Sequence, residues 1–226
     1  MTGFRELVAA ARAAADDDVS HVAPVLREAR RLGLGERFLD VRVPPRLLAF
    51  SRRDTHRPEF DAAARLASSH GFEPVVRHVG GAFAPLHAGS LVIDQYGTSP
   101  DAAVTSMARF VEHSTTLRDV LRGLGLDVRV GELAGEYCPG EFSVNVAGRV
   151  KVAGVAQRVS GTAWVVSTVL QVSGIAELRD VTVEVARVLG EHVDPRTMGD
   201  LESEGVRLAV PELRGLLVEA FAPQAV

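Results

Sequence analysis

The sequence predicts an α+β domain in which one large mixed or antiparallel sheet is flanked by helices. Three observations predict it: six segments carry apolar residues at helical spacing, seven shorter runs read as strands, and the two kinds fall into separated blocks. At 226 residues and 46% hydrophobic composition the chain has material for a buried core, and it is read as one domain over 1–226.

Residues 3–15 and 21–33 are expected to be helices, with Phe4, Leu7, Val8 and Ala11, then Val22, Val25, Leu26 and Ala29, each repeating on one face. A strand at 46–51, a helix at 58–69 and strands at 74–78 and 90–96 follow. The longest helix is placed at 101–123, where Val104, Met107, Phe110, Val111 and residues 117–121 mark its apolar positions. Strands at 127–130, 142–146, 149–157 and 163–172 come next. The last three are joined by turns at Gly148 and Ser160-Gly161 and read as an antiparallel meander. Helices at 177–191 and 210–221 complete the pattern. No repeat, low-complexity linker or domain boundary is visible.

A net charge of -4 and a pI near 6.0 argue against a nucleic-acid binder, which would carry a basic surplus, so any basic site must be local. One cysteine leaves no intramolecular disulfide framework and no cysteine-rich zinc site. His21, His56, His70, His113 and His192 lack metal-ligand spacing, and Asp16-Asp17-Asp18 reads as a solvated helix end, so no metal is expected. Arg5, Glu6 and Arg12 interrupt the N-terminal apolar stretch, which makes it an ordinary helix and not a signal peptide. No apolar run reaches the roughly 18 residues of a membrane span. A reducing cytoplasm is the expected home of the thiol.

The chemistry concentrates in one short stretch. Lys151, the only lysine, follows Cys138, the only cysteine, by thirteen positions, in Glu136-Tyr137-Cys138-Pro139-Gly140 and Gly148-Arg149-Val150-Lys151-Val152-Ala153-Gly154. Every other cation among the 25 Lys plus Arg is arginine. Guanidinium keeps its proton at any working pH, whereas a buried ammonium can lose it, so a retained lysine points to proton chemistry or a compact charge. Together the two residues suggest a dyad in which a cation or base supports a thiolate nucleophile. The plainer alternative is a leftover lysine on a turn and a cysteine packed in the core. Glycine marks two more places of close approach. One is Gly80-Gly81-Ala82 just after Arg77, flanked by His78 and His87. The other is Gly154, where a glycine inside a strand signals a bulge or a neighbouring ligand.

These motifs, spread over residues 46–174, resemble the lipoate-protein ligase and octanoyltransferase superfamily, which shares its catalytic domain with biotin protein ligases. Arg77 with Gly80, Gly81 and Ala82 matches the arginine and glycine turn that line the acyl pocket there. Lys151 to Gln157 fits the superfamily run Lys-x-Ala/Ser-Gly-x-Ala/Ser-Gln at every defined position. Tyr137-Cys138-Pro139-Gly140 is similar to the branch of octanoyl-[glycine cleavage H protein]:protein N-octanoyltransferases. There are departures: two glycines stand where ATP-using ligases usually have three, His87 lies in Pro-Leu-His-Ala instead of His-Asp, and no C-terminal accessory domain is read. They weigh against adenylate chemistry more than against the fold.

The resemblance implies the biotin/lipoate ligase catalytic fold and a two-step octanoyl or lipoyl transfer through an acyl-Cys138 thioester, assisted by Lys151 as cation or base. It implies substrate contacts at Arg77, Gly80, Gly81, Ala82, His87, Gly154, Val155 and Ala156, with Arg77 either lining the pocket or forming a salt bridge. Ala82, Leu91, Val155 and Val165 are candidates for the acyl wall, and backbone N–H groups near Gly140, Lys151 or Gly154 for the oxyanion. No cofactor is implied. The expected partners are lipoyl-domain proteins, namely the glycine cleavage H protein and the E2 subunits of 2-oxoacid dehydrogenases, with acyl carrier protein as another donor and Arg52 and Arg53 steering the docking. An ATP-dependent lipoate ligase and a non-catalytic carrier-binding protein are the competing readings.

Overall fold

The computed structural model describes residues 3–35 and 37–222. All six expected helices are present: α1 (Phe4–Ala13), α2 (Val22–Leu32), α3 (Phe60–Ser69), α4 (Ser106–Gly123), α5 (Ala176–Val188) and α6 (Val210–Ala220). The strands are β1 (Phe38–Arg42), β2 (Leu47–Ser51), β3 (Glu73–Arg77), β4 (Ala84–Leu86), β5 (Ser90–Thr98), β6 (Val128–Val130), β7 (Val144–Val146), β8 (Val150–Ser160) and β9 (Ala163–Gln171). Helix α4 starts later than its apolar pattern predicts because residues 101–105 form turns, and Val104 is 86% exposed, so it marks no buried face.

The single sheet expected from the sequence is instead two. A six-stranded sheet, ordered β1-β5-β9-β8-β7-β6, is antiparallel throughout. The mixed pairing sits in a three-stranded sheet, β3-β2-β4, where the α3 crossover returns β3 parallel to β2 and β4 pairs antiparallel. Two of these strands escape sequence reading. In β1 the inward charge of Arg42 breaks the apolar pattern, and Asp94, Asp40 and Asp18 neutralise it. β4 is three residues long with Pro85 at its centre, which confines it to an edge.

The two sheets enclose one core, with Phe50, Phe83, Val92 and Val169 packed against α3 and α5. The opposite face of the large sheet, carrying Leu91, Ile93 and Leu170, packs against Leu117 and Leu121 of α4 and Leu213 and Leu217 of α6. Burial on both faces explains why β9 reads as a nearly continuous apolar run. Helices α1 and α2 cover Tyr96 and Val165 at one end.

One irregularity places the chemistry. The β7–β8 register runs Asn145 to Lys151 and Val144 to Ala153, so Val152 is an extra residue on β8. Such a bulge re-aims the side chains on either side of it. Here it puts the Lys151 stem on the same side as the missing Cβ of Gly154, where an added carbon would lie 3.4 Å from Lys151 Cε. The glycine inside the strand thus reflects both the adjoining bulge and the passage of a lysine.

Candidate active site

Residues 131–143 loop from β6 to β7, closed by Gly131 N–H donating to Ser143 O at 2.8 Å. Inside the loop lies Glu136, only 3% exposed. Its Oε2 accepts from Leu133 N at 3.1 Å, and its Oε1 accepts from Gly140 N at 3.1 Å, from the Ser143 hydroxyl and from Lys151 Nζ at 3.1 Å. Burying a carboxylate this deep is costly unless it is paired and hydrogen-bonded, and four donors meet that need.

Lys151 is fully buried. Its ammonium has three N–H donors, and three acceptors receive them: Glu136 Oε1, Tyr137 O at 2.9 Å and Cys138 O at 2.8 Å. Nζ also lies 4.8 Å from the centre of the Tyr137 ring, a cation–π contact. Burial pushes the Tyr137 phenol above its ordinary range, partly opposed by a hydrogen bond with Gln171, so that side chain serves as a neutral wall. The structure directs the Lys151 side chain at the loop backbone and at Glu136. The ammonium grips the peptide carrying the cysteine.

Cys138 has φ 45°, one of two non-glycine residues with positive φ among those described. That left-handed conformation is costly for a residue with a Cβ, and the Lys151 and Glu136 contacts hold it. The sulfur meets donors from the other sheet. Ala82 N–H points at Sγ from 3.1 Å, and Arg77 Nη2 lies 3.5 Å away while also donating to Ala82 O. Of the two roles open for Arg77, the structure gives it the lining one. Gly81, with φ 91°, makes the approach possible: a Cβ there would lie 2.9 Å from Sγ and 2.8 Å from Arg77 Nη2. Gly80 N–H donates to Gln157 O at 3.3 Å and ties the turn to β8.

A cleft between the sheets runs from the sulfur, walled by Gly154, Val155, Ala156, Ala84 and Val169. The structure therefore brings Cys138, Lys151, Arg77, Gly80, Gly81, Ala82, Gly154, Val155 and Ala156 together. His87 does not line this cleft. Its ring Nε2–H donates to Ser173 O at 3.0 Å and the ring is wedged between Gly89 and Gly174, so it fastens the β4–β5 turn. Leu91 and Val165, expected in the acyl wall, lie in the separate cores under α4 and under α2. The Gly140 N–H, a candidate oxyanion donor, is spent on Glu136. Glu136 and Ser143 are the functional neighbours that sequence reasoning assigned no role. The available signal was that a buried lysine needs a buried carboxylate, and Glu136 stands two residues before the cysteine.

No protein-family model matches the chain. Curated relatives do: it is 28% identical over 169 residues to octanoyl-[GcvH]:protein N-octanoyltransferase of Exiguobacterium sibiricum, covering 66% of this chain and 58% of that protein. It is 27% identical over 184 residues to the Oceanobacillus iheyensis protein of the same description, covering 74% and 63%. The chain thus spans roughly three fifths of these relatives' length. Among solved structures, lipoate-protein ligase A bound with ATP superposes with a TM-score of 0.64 at 21% identity, covering 86% of this chain and 76% of that one. The lipoate-protein ligase fold expected from the motifs is borne out, as is the superfamily resemblance.

Proposed function

We propose that this protein is a cysteine-dependent acyltransferase that moves an octanoyl or lipoyl group between lysines of carrier domains. The supporting observation is the placement of Cys138 Sγ at the head of an apolar cleft with Ala82 N–H and Arg77 directed at it. Sγ attacks the carbonyl of the acylated donor lysine, a C–S bond forms, the C–N bond breaks, and the amine leaves with a proton. The acceptor amine then attacks the thioester, the new amide forms and the thiolate departs. The oxyanion in each step develops on the oxygen of the carbon bonded to the sulfur, beside Ala82 N–H and the Arg77 guanidinium. Glu136 and Lys151 hold the loop so that the sulfur meets these donors.

The relatives' description names GcvH, and we assign the glycine cleavage H protein as donor, with lipoyl domains such as those of E2 subunits as acceptors. No cofactor takes part in this reading. A cytoplasmic setting fits a nucleophilic thiol that must stay reduced. Among the described residues no helix is long and apolar enough to cross a membrane.

Intact-mass spectrometry of the protein mixed with octanoylated H protein, without ATP, tests the reading. An octanoyl adduct removed by hydroxylamine and missing from Cys138→Ser is expected. A second reading, the ATP-dependent ligase, is favoured by the ATP-bound neighbour. Labelling from free lipoate that needs ATP and survives Cys138→Ala would establish it in place of the first.

A further inference from the structure

Beside Cys138 the surface opens into a groove of about 310 Å³ lined by Arg52, Arg53, Arg77, Arg158 and His78. Among the described residues no carboxylate lines it. This stands out in a chain with net charge -4, in which Arg12, Arg42, Arg46, Arg57, Arg129, Arg149 and Arg196 are each paired with an acid.

The groove is held open by specific contacts. At the end of β2, Asp54 Oδ2 accepts from both Ser51 N–H and Ser51 Oγ at 2.8 Å, and Asp54 N–H returns a bond to Ser51 Oγ at 3.2 Å. Asp54, which follows these arginines in the chain, is thereby buried with one oxygen engaged in the turn, while Arg52 and Arg53 are exposed. Across the groove, Arg158 Nη1 donates to His78 O at 3.0 Å, which fixes a third guanidinium. Burial, then the charges of Arg158 and Arg52, lower the His78 pKa, with Asp17 opposing. Crowding cations with no acid between them raises the energy of the free protein, and an anionic partner offsets it.

We propose that this groove docks the acidic surface that surrounds the acylated lysine of a carrier domain. The proposal rests on the acyltransferase reading and names the face through which it works. Arg77 and Gly81 belong both to the groove and to the Cys138 site, so a carrier that presents its acyl-lysine to the sulfur must lie over the arginines. The groove is open, and two of its cations are exposed, which suits a protein surface better than an enclosed small anion. Because the net charge of the chain repels acidic proteins, attraction must come from this local field.

The test uses Arg52→Glu/Arg53→Glu, with Arg5→Glu/Arg27→Glu on α1 and α2 as a control of equal charge change. Three measurements are made on each: binding of unmodified recombinant H protein, transfer from octanoylated H protein, and acylation of Cys138 by the neutral thioester octanoyl-N-acetylcysteamine. The groove variant is expected to lose binding and kcat/KM toward H protein by about tenfold or more at low salt. Wild type is expected to fall toward it as salt rises, and the control to match wild type. Acylation by the small thioester is expected to be equal in all three. Unchanged H-protein binding, salt-independent binding, or a parallel loss with the small thioester would each overturn the docking role. So would displacement of H protein by millimolar ATP or inorganic phosphate at fixed ionic strength, which would make the groove a small-anion site. Arginine-dependent binding without any Cys138 thioester from either donor would keep the docking surface and refute the acyltransferase.

Discussion

Lys151 Nζ lies 2.8 Å from the carbonyl oxygen of Cys138, so the only lysine of the chain holds the peptide of the only cysteine. Its two other donors go to Tyr137 O and Glu136. An ammonium with every proton committed acts by positioning, and its removal should register in stability as well as in transfer.

Replacing Lys151 by Met strands the Glu136 carboxylate in the core. Losing one partner of a buried pair costs about 3–5 kcal/mol, and the urea midpoint of Lys151→Met should fall accordingly. Adding Glu136→Gln removes the uncompensated charge and should restore part of that stability, because the amide oxygen can still accept from Gly140 N and Ser143 Oγ while the amide NH2 takes the place facing Leu133 N–H. Transfer should stay low in the double variant, since nothing then grips Tyr137 O and Cys138 O. A single variant as stable as wild type would show that the pair is not engaged in solution.

The glycine turn should behave asymmetrically. Gly81→Ala places a carbon 2.9 Å from Cys138 Sγ at a φ of 91°, so Sγ or the turn must move. Displacement of reacting groups by about 1 Å costs about a hundredfold, and single-turnover acylation of Cys138 should fall by that order. Gly80→Ala meets only Gln157 O, at 3.4 Å and without positive φ, and should lose far less. Equal losses at both positions would mean that the turn acts through general flexibility.

His113 links the fold to pH. It lies on the buried face of α4 with Nε2 2.8 Å from Thr168 Oγ1, and burial pulls its pKa down to about 3, with Asp94 opposing. The unfolded ring titrates near 6.5. Above that value both states are neutral and stability is complete. Below it the unfolded chain takes up a proton that the folded one refuses, and stability falls by about 1.4 kcal/mol per pH unit toward pH 3. Urea melts from pH 4 to 8 should show that slope in wild type, and His113→Gln should remove this part of it. Identical slopes would mean that the ring is hydrated and titrates normally.

The sequence made most of the fold legible because helical periodicity and the β7–β8–β9 meander are local signals. It failed where tertiary structure decided the outcome. Leu91 and Val92 look alike in a strand buried on both faces, and only the position of the second sheet shows that Val92 and Val169 face the interior shared with the cleft. Cys138, Lys151 and the Gly81 turn were readable from rarity and motif. The role of Glu136 was not, since it depends on a bulge at Val152 that aims Lys151 at a loop fifteen residues earlier.

The cleft wall yields the last prediction. Gly154 and Ala156 of β8 line the space beside Cys138, with Val169 and Ser167 as their cross-strand partners on β9. If an acyl chain runs along this floor, Ala156→Leu fills the path without touching Sγ, Arg77 or Ala82 N–H. Overpacking of this kind costs about 1–3 kcal/mol, which the fold should survive. Acylation by an octanoyl thioester should collapse while acylation by an acetyl thioester persists, because the short chain ends before the obstruction. Comparing the two rates in wild type and variant isolates chain length from chemistry. A variant that takes both chains at wild-type rates would place the acyl path elsewhere, and one that takes neither would show that Ala156 supports the nucleophile itself.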